Sequence, residues 1–508
     1  MLQTIKGADC LKKQSFIKGA AVMAIASILC KIMSAIFKIP LDLFFLHEDG
    51  IAIYQSVYSI YNIFLAICVT GVPIALSSLV AKESEEESLS LCSSTFTAVT
   101  FICALSSVLI FVFAKPIAIY LSGGGAPKAE MALRALSPAL LFLGVISSLR
   151  GYFQGQSNMI PSALGQLGES VIKVVMGILL CAVLVRFGVE NGAAGAVLGV
   201  SLSAFCAATV LYLFLRKDKK KLLGKFRIKS AVRVFKLSLP VTLGTFGYAA
   251  VMLCDALTVT NVLSTAGVGE AERLRLFGYL TRANTVYNLP AAIITAITAS
   301  IVPIISSAIA KKDSAELKEN ASKSLKSIFY VASPCAFGLV LFAQQIFALL
   351  YSNENSFVLL ALAGGLVLVL PYVQTTTVML QSLGKVWHSV IANAVAVILK
   401  LVLNLVLIKW IGIKGAQIAT IIAFLPVFLY NTVLLGKFIK LRDAFAQILK
   451  IILSGAISCV LARCMYALGG GIIMLVASIF TAAVLYILLL VLSGSIERKE
   501  IISLIKRG

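Results

Sequence analysis

The chain has 508 residues, is 60% hydrophobic and carries only 13% charged residues, about half the charged share of an average soluble domain. Its net charge is +22, but the basic residues gather at the termini and between apolar runs, a pattern of membrane-topology anchors and not of a nucleic-acid surface. Composition therefore excludes a soluble protein and any sizeable soluble domain.

Fourteen apolar segments follow one another, at 16–46, 51–80, 90–121, 129–153, 158–186, 193–215, 229–263, 276–310, 322–351, 356–383, 387–409, 413–436, 443–467 and 470–494. Each is too long for a barrel strand, which needs about 10 residues, so each is predicted to be a helix that satisfies its own backbone in lipid. The expected class is an all-α polytopic membrane protein with about 14 transmembrane helices. The first segment is too long and too polar at its centre for a cleaved signal peptide, and no small-residue cleavage site follows it.

That first segment, FIKGAAVMAIASILCKIMSAIFKIPLDLFFL, carries Lys31 and Lys38 about 10 Å apart along one helical stripe, with Ser27 and Ser34 beside them and Asp42 extending it. A polar stripe cannot face lipid, so it is a candidate functional face. Lys38 stands near the segment end, where it either joins that face or snorkels to the interface. Lys31 is too deep to snorkel and is either a ligand or half of an ion pair. Pro40 predicts a bend near the outer end.

An even number of crossings puts both termini on one side. That side carries Lys6, Lys12, Lys13, Lys82, the run RKDKKKLLGKFRIK over 216–229, Lys385, Lys437, Lys440, Lys506 and Arg507, while the opposite loops hold little more than Lys128, Arg273, Arg275 and Lys414. Positive residues stay inside, so both termini are expected to be cytoplasmic. The basic run reads as a topology anchor and a linker on anionic headgroups.

The chain repeats. VPIALSSLVAKE (72–83) returns as VPIISSAIAKKD (302–313), Tyr61-Asn62 as Tyr287-Asn288, Gln154 as Gln381, Lys173 as Lys400, and GAAGA (192–196) as GIKGA (412–416). An even number of segments separates the copies, so they share one membrane orientation. The expected architecture is two parallel six-helix bundles around a central cavity, residues 1–228 and 229–440. Two C-terminal helices and a tail follow at 441–508. Pro73 and Pro303, at the same place in both copies, predict a built bend.

Polar residues inside the segments favour a large anionic substrate. The candidate substrate-binding residues are Lys31, Lys38, Gln55, Asn62, Arg150 and Gln154 in the first copy, and Asp255, Arg282, Asn288, Gln381 and Lys400 in the second. Arg282 is either a bidentate phosphate ligand or an interfacial anchor. Asp255 has no basic neighbour within a helical turn and needs a partner from elsewhere, a proton or a cation. Glu169 precedes Lys173 by one turn and is expected to pair with it. Lys400 has no acid at that spacing and is expected to be the less satisfied of the two. Eleven cysteines without a CxxC, and two histidines, indicate neither a disulfide framework nor a metal site, and no cofactor is expected. No GxSxG, Walker loop or HExxH stands in an accessible place, so the chain is not read as an enzyme.

The opening FIKGAAVMAIASILCKIMSAIFKIPL, with GIAIYQSVYSIYNIFLAICVTGVPIALSSLVAKE, RGYFQGQSNMIPSALGQLGE and LQSLGKVWHSVIANAVAVILKLVLN, resembles the polysaccharide-biosynthesis flippases typified by stage V sporulation protein B. These belong to the multidrug/oligosaccharidyl-lipid/polysaccharide exporter superfamily, near the lipid II flippases. The resemblance covers segments 1 to 12. It implies a V-shaped fourteen-helix fold in the bacterial plasma membrane. It also implies movement of an undecaprenyl-pyrophosphate-linked sugar, a peptidoglycan precursor such as lipid II, to the outer leaflet by alternating access. The family's cationic first helix matches at Lys31 and Lys38; the Arg that relatives carry in segment 2 has no counterpart in Asn62–Thr70. The implied partners are a polyprenyl-pyrophosphate-linked sugar and membrane lipids, with a coupling cation or the membrane potential as driving force. The alternative within the superfamily is a cation-coupled multidrug or small-molecule antiporter, which needs buried carboxylates that are scarce here. A membrane glycan ligase would need long outer loops that the spacing does not leave.

Overall fold

The computed structural model describes residues 16–217, 226–310, 314–351, 356–438 and 441–495. Most of the basic linker, the lysine-rich N-terminal tail and the C-terminal tail, on which much of the topology expectation rests, lie outside the described residues.

In chain order the helices are α1 (Phe16–Leu41), α2 (His47–Leu65), α3 (Val72–Val80), α4 (Glu85–Val112), α5 (Ala114–Leu121), α6 (Glu130–Gly155), α7 (Ile160–Leu184), α8 (Val189–Lys217), α9 (Ile228–Thr265), α10 (Glu270–Ala310), α11 (Ser314–Leu341), α12 (Ala343–Tyr351), α13 (Phe357–Ser382), α14 (Val386–Ile411), α15 (Lys414–Gly436), α16 (Leu441–Gly469) and α17 (Gly471–Leu492). The all-α membrane class is what the composition requires. Among the described residues, twelve stretches are long and apolar enough to cross a bilayer. The first, Ile25–Val80, runs 56 residues, where about 20 suffice for one crossing.

That long stretch reverses. A π-helical turn at Asp42–Leu46 follows Pro40, and His47 adopts φ 51°. Proline removes the donor that would continue the α1 ladder, and the wider turn absorbs the mismatch. The apolar run 51–80 is likewise broken, by a π-helical turn at Ala66–Gly71 just ahead of Pro73, where the repeat predicts a bend. The run 90–121 divides into α4 and α5 at Phe113, and 322–351 into α11 and α12. α4 begins at Ser84, whose side chain accepts from the Glu87 amide at 3.4 Å, and Glu85, Glu86 and Glu87 fill its positive first turn.

Contacts group residues up to Arg275 into one unit and those from Leu276 into another. In the first, α7 and α8 cross so closely that a Cβ on Gly199 would collide with the Gly177 Cα. α6 lies against both α4 and α8. α9 packs along α2, α3, α4 and the π-turn before Pro73, and a Cβ on Gly71 would collide with the Thr242 hydroxyl. The expected repeat boundary at 228 and this contact division differ by α9, the turn after it and the first residues of α10. Small residues let membrane helices approach where lipid supplies no hydrophobic drive. In the second unit, α11 packs on α13 and α16, and α14 on α15. Phe342, Ala462 and Leu475 form a small core there, and Asn431 on α15 donates to Thr376 and Thr377 on α13 at 3.1 and 3.0 Å.

Gly199→Ala is expected to lower thermal stability in detergent by about 1–3 kcal/mol, the usual cost of overpacking. Gly365→Ala, whose Cβ would meet Ile421 at an ordinary 3.6 Å, is the neutral control. Equal melting of the two variants would remove the close α7–α8 crossing from the account.

Candidate functional site

The polar stripe of α1 is turned toward α2 on one side and α7 on the other. Because the chain reverses at His47, Lys38 Nζ reaches Gln55 on α2 and donates to its Oε1 at 2.8 Å. Gln55 is itself fixed: its Nε2 donates to Ser59 Oγ at 3.2 Å, and that hydroxyl donates to the Gln55 carbonyl at 2.8 Å. Lys38 also lies over the Tyr58 ring, 5.4 Å from its centroid, a cation–π contact. Lys38 is half-buried, with its ammonium turned toward α2. Tyr58 stacks on Tyr54 at 5.4 Å and meets Tyr61 at 5.6 Å. Sequence reasoning passed over this tyrosine ladder, although the spacing of 54, 58 and 61 puts all three on one helical stripe.

On the α7 side, Ser27 Oγ donates to Gln166 Oε1 at 3.4 Å, and Lys173 Nζ donates to Ser34 Oγ at 2.7 Å. The expected Glu169–Lys173 pair is therefore not formed. Glu169 instead accepts from Arg150 on α6 at 3.0 Å, with 4% and 17% of the two side chains exposed. Arg is the stronger bidentate partner for a carboxylate, and α6 presents it across the bundle where α7 alone offers only a flexible lysine. Lys31 is exposed on α1 between these two groups of contacts.

The stripe thus gathers Lys31, Lys38, Gln55 and Lys173, with the Arg150–Glu169 pair behind them. Asn62, two turns after Gln55 on α2, and Gln154, one turn after Arg150 on α6, are half-buried. Asp255 is buried on α9. An ammonium has three donors; Lys38 and Lys173 each spend one on a neutral oxygen. The face therefore keeps positive charge and donor capacity for an anion.

In the second unit, Arg282 is buried on α10 with its guanidinium 4.8 Å from the Tyr351 ring centroid. Asn284 accepts from Gln417 at 3.2 Å, Asn288 is half-buried on α10, and Gln381 is half-buried near the end of α13. Lys400 corrects its expectation. It is 0% exposed and donates to the Ala416 carbonyl and to Thr420 Oγ1, both at 2.7 Å. It is well satisfied because its acceptors come from α15, and the spacing along α14 could not show them. Among the described residues no three acids, cysteines or histidines cluster as for a metal.

These features define a multi-pass helical membrane protein with a cationic polar face inside its first unit. The chain belongs to the polysaccharide biosynthesis protein family, whose pattern matches residues 16–309. It is 26% identical to the uncharacterized membrane protein YabM of Bacillus subtilis (strain 168) over 82% of this chain and 79% of that one. It is 23% identical to stage V sporulation protein B of the same organism over 97% and 98%, and 22% identical to its lipid II flippase MurJ over 83% and 82%. Among solved structures, the lipid II flippase MurJ in an inward closed conformation superposes with a TM-score of 0.71 at 18% identity, covering 92% of this chain and 98% of that one. An inward-facing MATE multidrug transporter gives 0.65 at 16% identity over 82% and 98%. The fold is that of the multidrug/oligosaccharidyl-lipid/polysaccharide exporter superfamily.

Arg150→Ala is expected to destabilise the protein by about 3 kcal/mol, because it strands a largely covered carboxylate. Arg150→Met combined with Glu169→Leu is expected to recover most of that loss. Thermal unfolding of the purified variants measures both, and a double variant no more stable than the single one would refute the pairing.

Proposed function

We propose that this protein is a flippase that moves a polyprenyl-pyrophosphate-linked oligosaccharide from the inner to the outer leaflet by alternating access, with the peptidoglycan precursor lipid II as the substrate. The carrying observation is the charge on the α1–α2–α7 face. Lys38 and Lys173 rest on neutral oxygens, and the nearby carboxylate of Glu169 is occupied by Arg150. Cations kept inside a membrane segment without a matching acid are costly and persist for function. A diphosphate offers the oxygens that such donors lack. The printed name of one relative, the lipid II flippase MurJ, agrees with this reading.

In this reading the chain crosses the membrane fourteen times, as two parallel six-helix copies, 1–228 and 229–440, plus α16 and α17, with both termini cytoplasmic. Lys31, Lys38, Gln55 and Asn62 meet the substrate on the first copy; Arg282, Asn288 and Gln381 serve on the second; Arg150 and Lys400 hold neighbouring helices in place. Gln154 and Asp255 complete the polar set, and a coupling cation or the membrane potential drives the cycle. Asp255, a buried carboxylate on α9, together with the MATE-like fold, favours the second reading of a cation-coupled antiporter.

Reconstituted vesicles carrying labelled lipid-linked precursor decide between them. Wild-type protein is expected to expose the label at the outer leaflet. Lys31→Ala and Lys38→Ala are each expected to slow transport about tenfold or more, the factor for losing a hydrogen bond to a charged group. Purified protein is expected to bind polyprenyl pyrophosphate more tightly than polyprenol or a cationic dye. Wild-type rates in both lysine variants, or a preference for the dye, would favour the antiporter.

Orientation is tested separately by cysteine labelling in whole cells. A cysteine in the Gly123–Gly125 loop is expected to react with an impermeant maleimide from outside, and one at Ser84 only after permeabilisation. The reverse pattern would invert the topology.

A further inference from the structure

α5 is a short helix that ends at Leu121 in a glycine turn, Gly123 at φ 70° and Gly124 at φ 84°. The turn satisfies part of its C-terminus internally, since the Gly123 amide donates to the Tyr120 carbonyl at 3.1 Å and the Gly124 amide to the Ile119 carbonyl at 2.9 Å. The last carbonyls are then capped from another part of the chain. Asn261 Nδ2 on α9 donates to the Tyr120 carbonyl at 2.9 Å, Thr260 Oγ1 to the Leu121 carbonyl at 2.6 Å, and Arg273 on α10 to the Ser122 carbonyl at 3.3 Å. Arg273 also donates to the Val268 carbonyl at 2.8 Å, which fixes it at the α9–α10 turn. Glu270 closes the other side: it accepts from the Ala126 amide at 3.1 Å and lies 4.0 Å from Lys128 Nζ. The fit is tight, for a Cβ on Gly123 would stand 2.6 Å from the Thr260 carbonyl.

We infer that this clasp, the end of α5 and the loop 122–129 held by Thr260, Asn261, Glu270 and Arg273, is a gate at the outer surface that opens and recloses in each transport cycle. Four features carry this. First, within the unit that ends at Arg275, the clasp joins the α5 loop of the first proposed copy to α9 and the start of α10 of the second. Second, apart from the Ala126 amide, every donor from one copy to the other is a side chain, so separation breaks no helical ladder. Third, the carbonyls it would uncover lie at a helix end, where water replaces the lost donors. Fourth, a cationic donor at a helix C-terminus is favoured by the dipole, which gives the closed form its bias. A packed apolar seam would lack the third feature and would resist wetting. The clasp also roofs a small cavity lined by Ile53, Ser56 and Thr260, so opening would wet α2 beside Ser56.

The inference rests on the transport reading, so its test has two readouts. A Cβ on Gly125 lies 3.0 Å from Glu270 Cγ, which places cysteines at the two positions within reach of a disulfide. Gly125→Cys/Glu270→Cys is made in a Cys464→Ser background. Oxidation is expected to abolish flipping of labelled lipid-linked precursor in vesicles, and reduction to restore it. Neither single-cysteine variant is expected to change its rate between oxidising and reducing conditions. The second readout needs no substrate: Ser56→Cys, a buried position on α2, is alkylated with a water-soluble maleimide in nanodiscs. The oxidised clasp is expected to suppress labelling. Arg273→Leu is expected to accelerate it about tenfold, as for one lost hydrogen bond to a charged group. Labelling of Ser56→Cys at the same rate in locked, unlocked and Arg273→Leu protein would overturn the gate, whatever the substrate proves to be. Transport at full rate through a verified cross-link would overturn it equally. Absence of transport in the wild type, with labelling still controlled by the lock, would overturn the flippase reading and leave the gate standing.

Discussion

A cation inside a bilayer must find oxygen atoms without leaving the protein, and the interior of this fold is arranged around that requirement. Lys38 meets it through the reversal at His47, which brings Gln55 within 2.8 Å. Without the reversal, the residues between them would carry Gln55 some 25 Å further along a straight helix. The π-helical turn after Pro40 is thus the local feature that builds the polar face, because it converts a single long apolar run into two helices that share a lysine. Arg150 meets the same requirement differently, by taking the carboxylate of Glu169. That choice leaves Lys173 to a serine hydroxyl and shifts the balance of the face toward positive charge.

Much of this was legible in the sequence, for identifiable reasons. Apolar run length shows helices directly, because lipid permits nothing else. The stripe Ser27–Lys31–Ser34–Lys38 was legible because helical periodicity fixes direction around one axis, and Ser34 and Lys38 do face partners on α7 and α2. The break ahead of Pro73 was legible in part: the recurrence with Pro303 predicts a bend in both places, yet α10 runs as one helix from Glu270 to Ala310. What periodicity cannot supply is the neighbour across a helix crossing. Glu169 and Lys173 satisfy the spacing rule for a pair, yet an arginine from α6 takes the acid. The acceptors of Lys400 lie on α15, beyond a turn. The clasp at the end of α5 was invisible for the same reason: its members are ordinary threonine, asparagine and arginine residues far apart in the chain.

The boundary of the first unit has a comparable origin. The sequence repeat leads one to expect a division at the basic linker, whereas contacts carry α9 with α2, α3 and α4. At one end, Arg233 pairs with Glu83 at 2.7 Å and Arg227 with Glu87 at 3.2 Å, all four partly exposed. Such pairs are individually weak and screened by salt. At the other end stand the carbonyl caps of the clasp. Along the middle, Gly71 admits Thr242 so closely that no side chain could intervene. α9 is therefore held by contacts of three kinds, and only the central one depends on tight packing.

Lys173 and Lys400 fall at matching places in the sequence repeat, and the structure uses them differently. Lys173 is half-buried and spends one donor on Ser34 of α1, so it remains on the polar face. Lys400 is fully buried and ties α14 to the start of α15 through two short hydrogen bonds. An ammonium bonded to backbone carbonyl and threonine hydroxyl at 0% exposure cannot turn to a substrate without leaving those acceptors unsatisfied in a dry interior. Lys400 is a joint between helices, while Lys173 still has donors to offer. A duplicated bundle with identical lysines would present two equivalent anion sites. Here the lysines that keep spare donors stand on α1 and α7, whereas Lys400 is spent between α14 and α15.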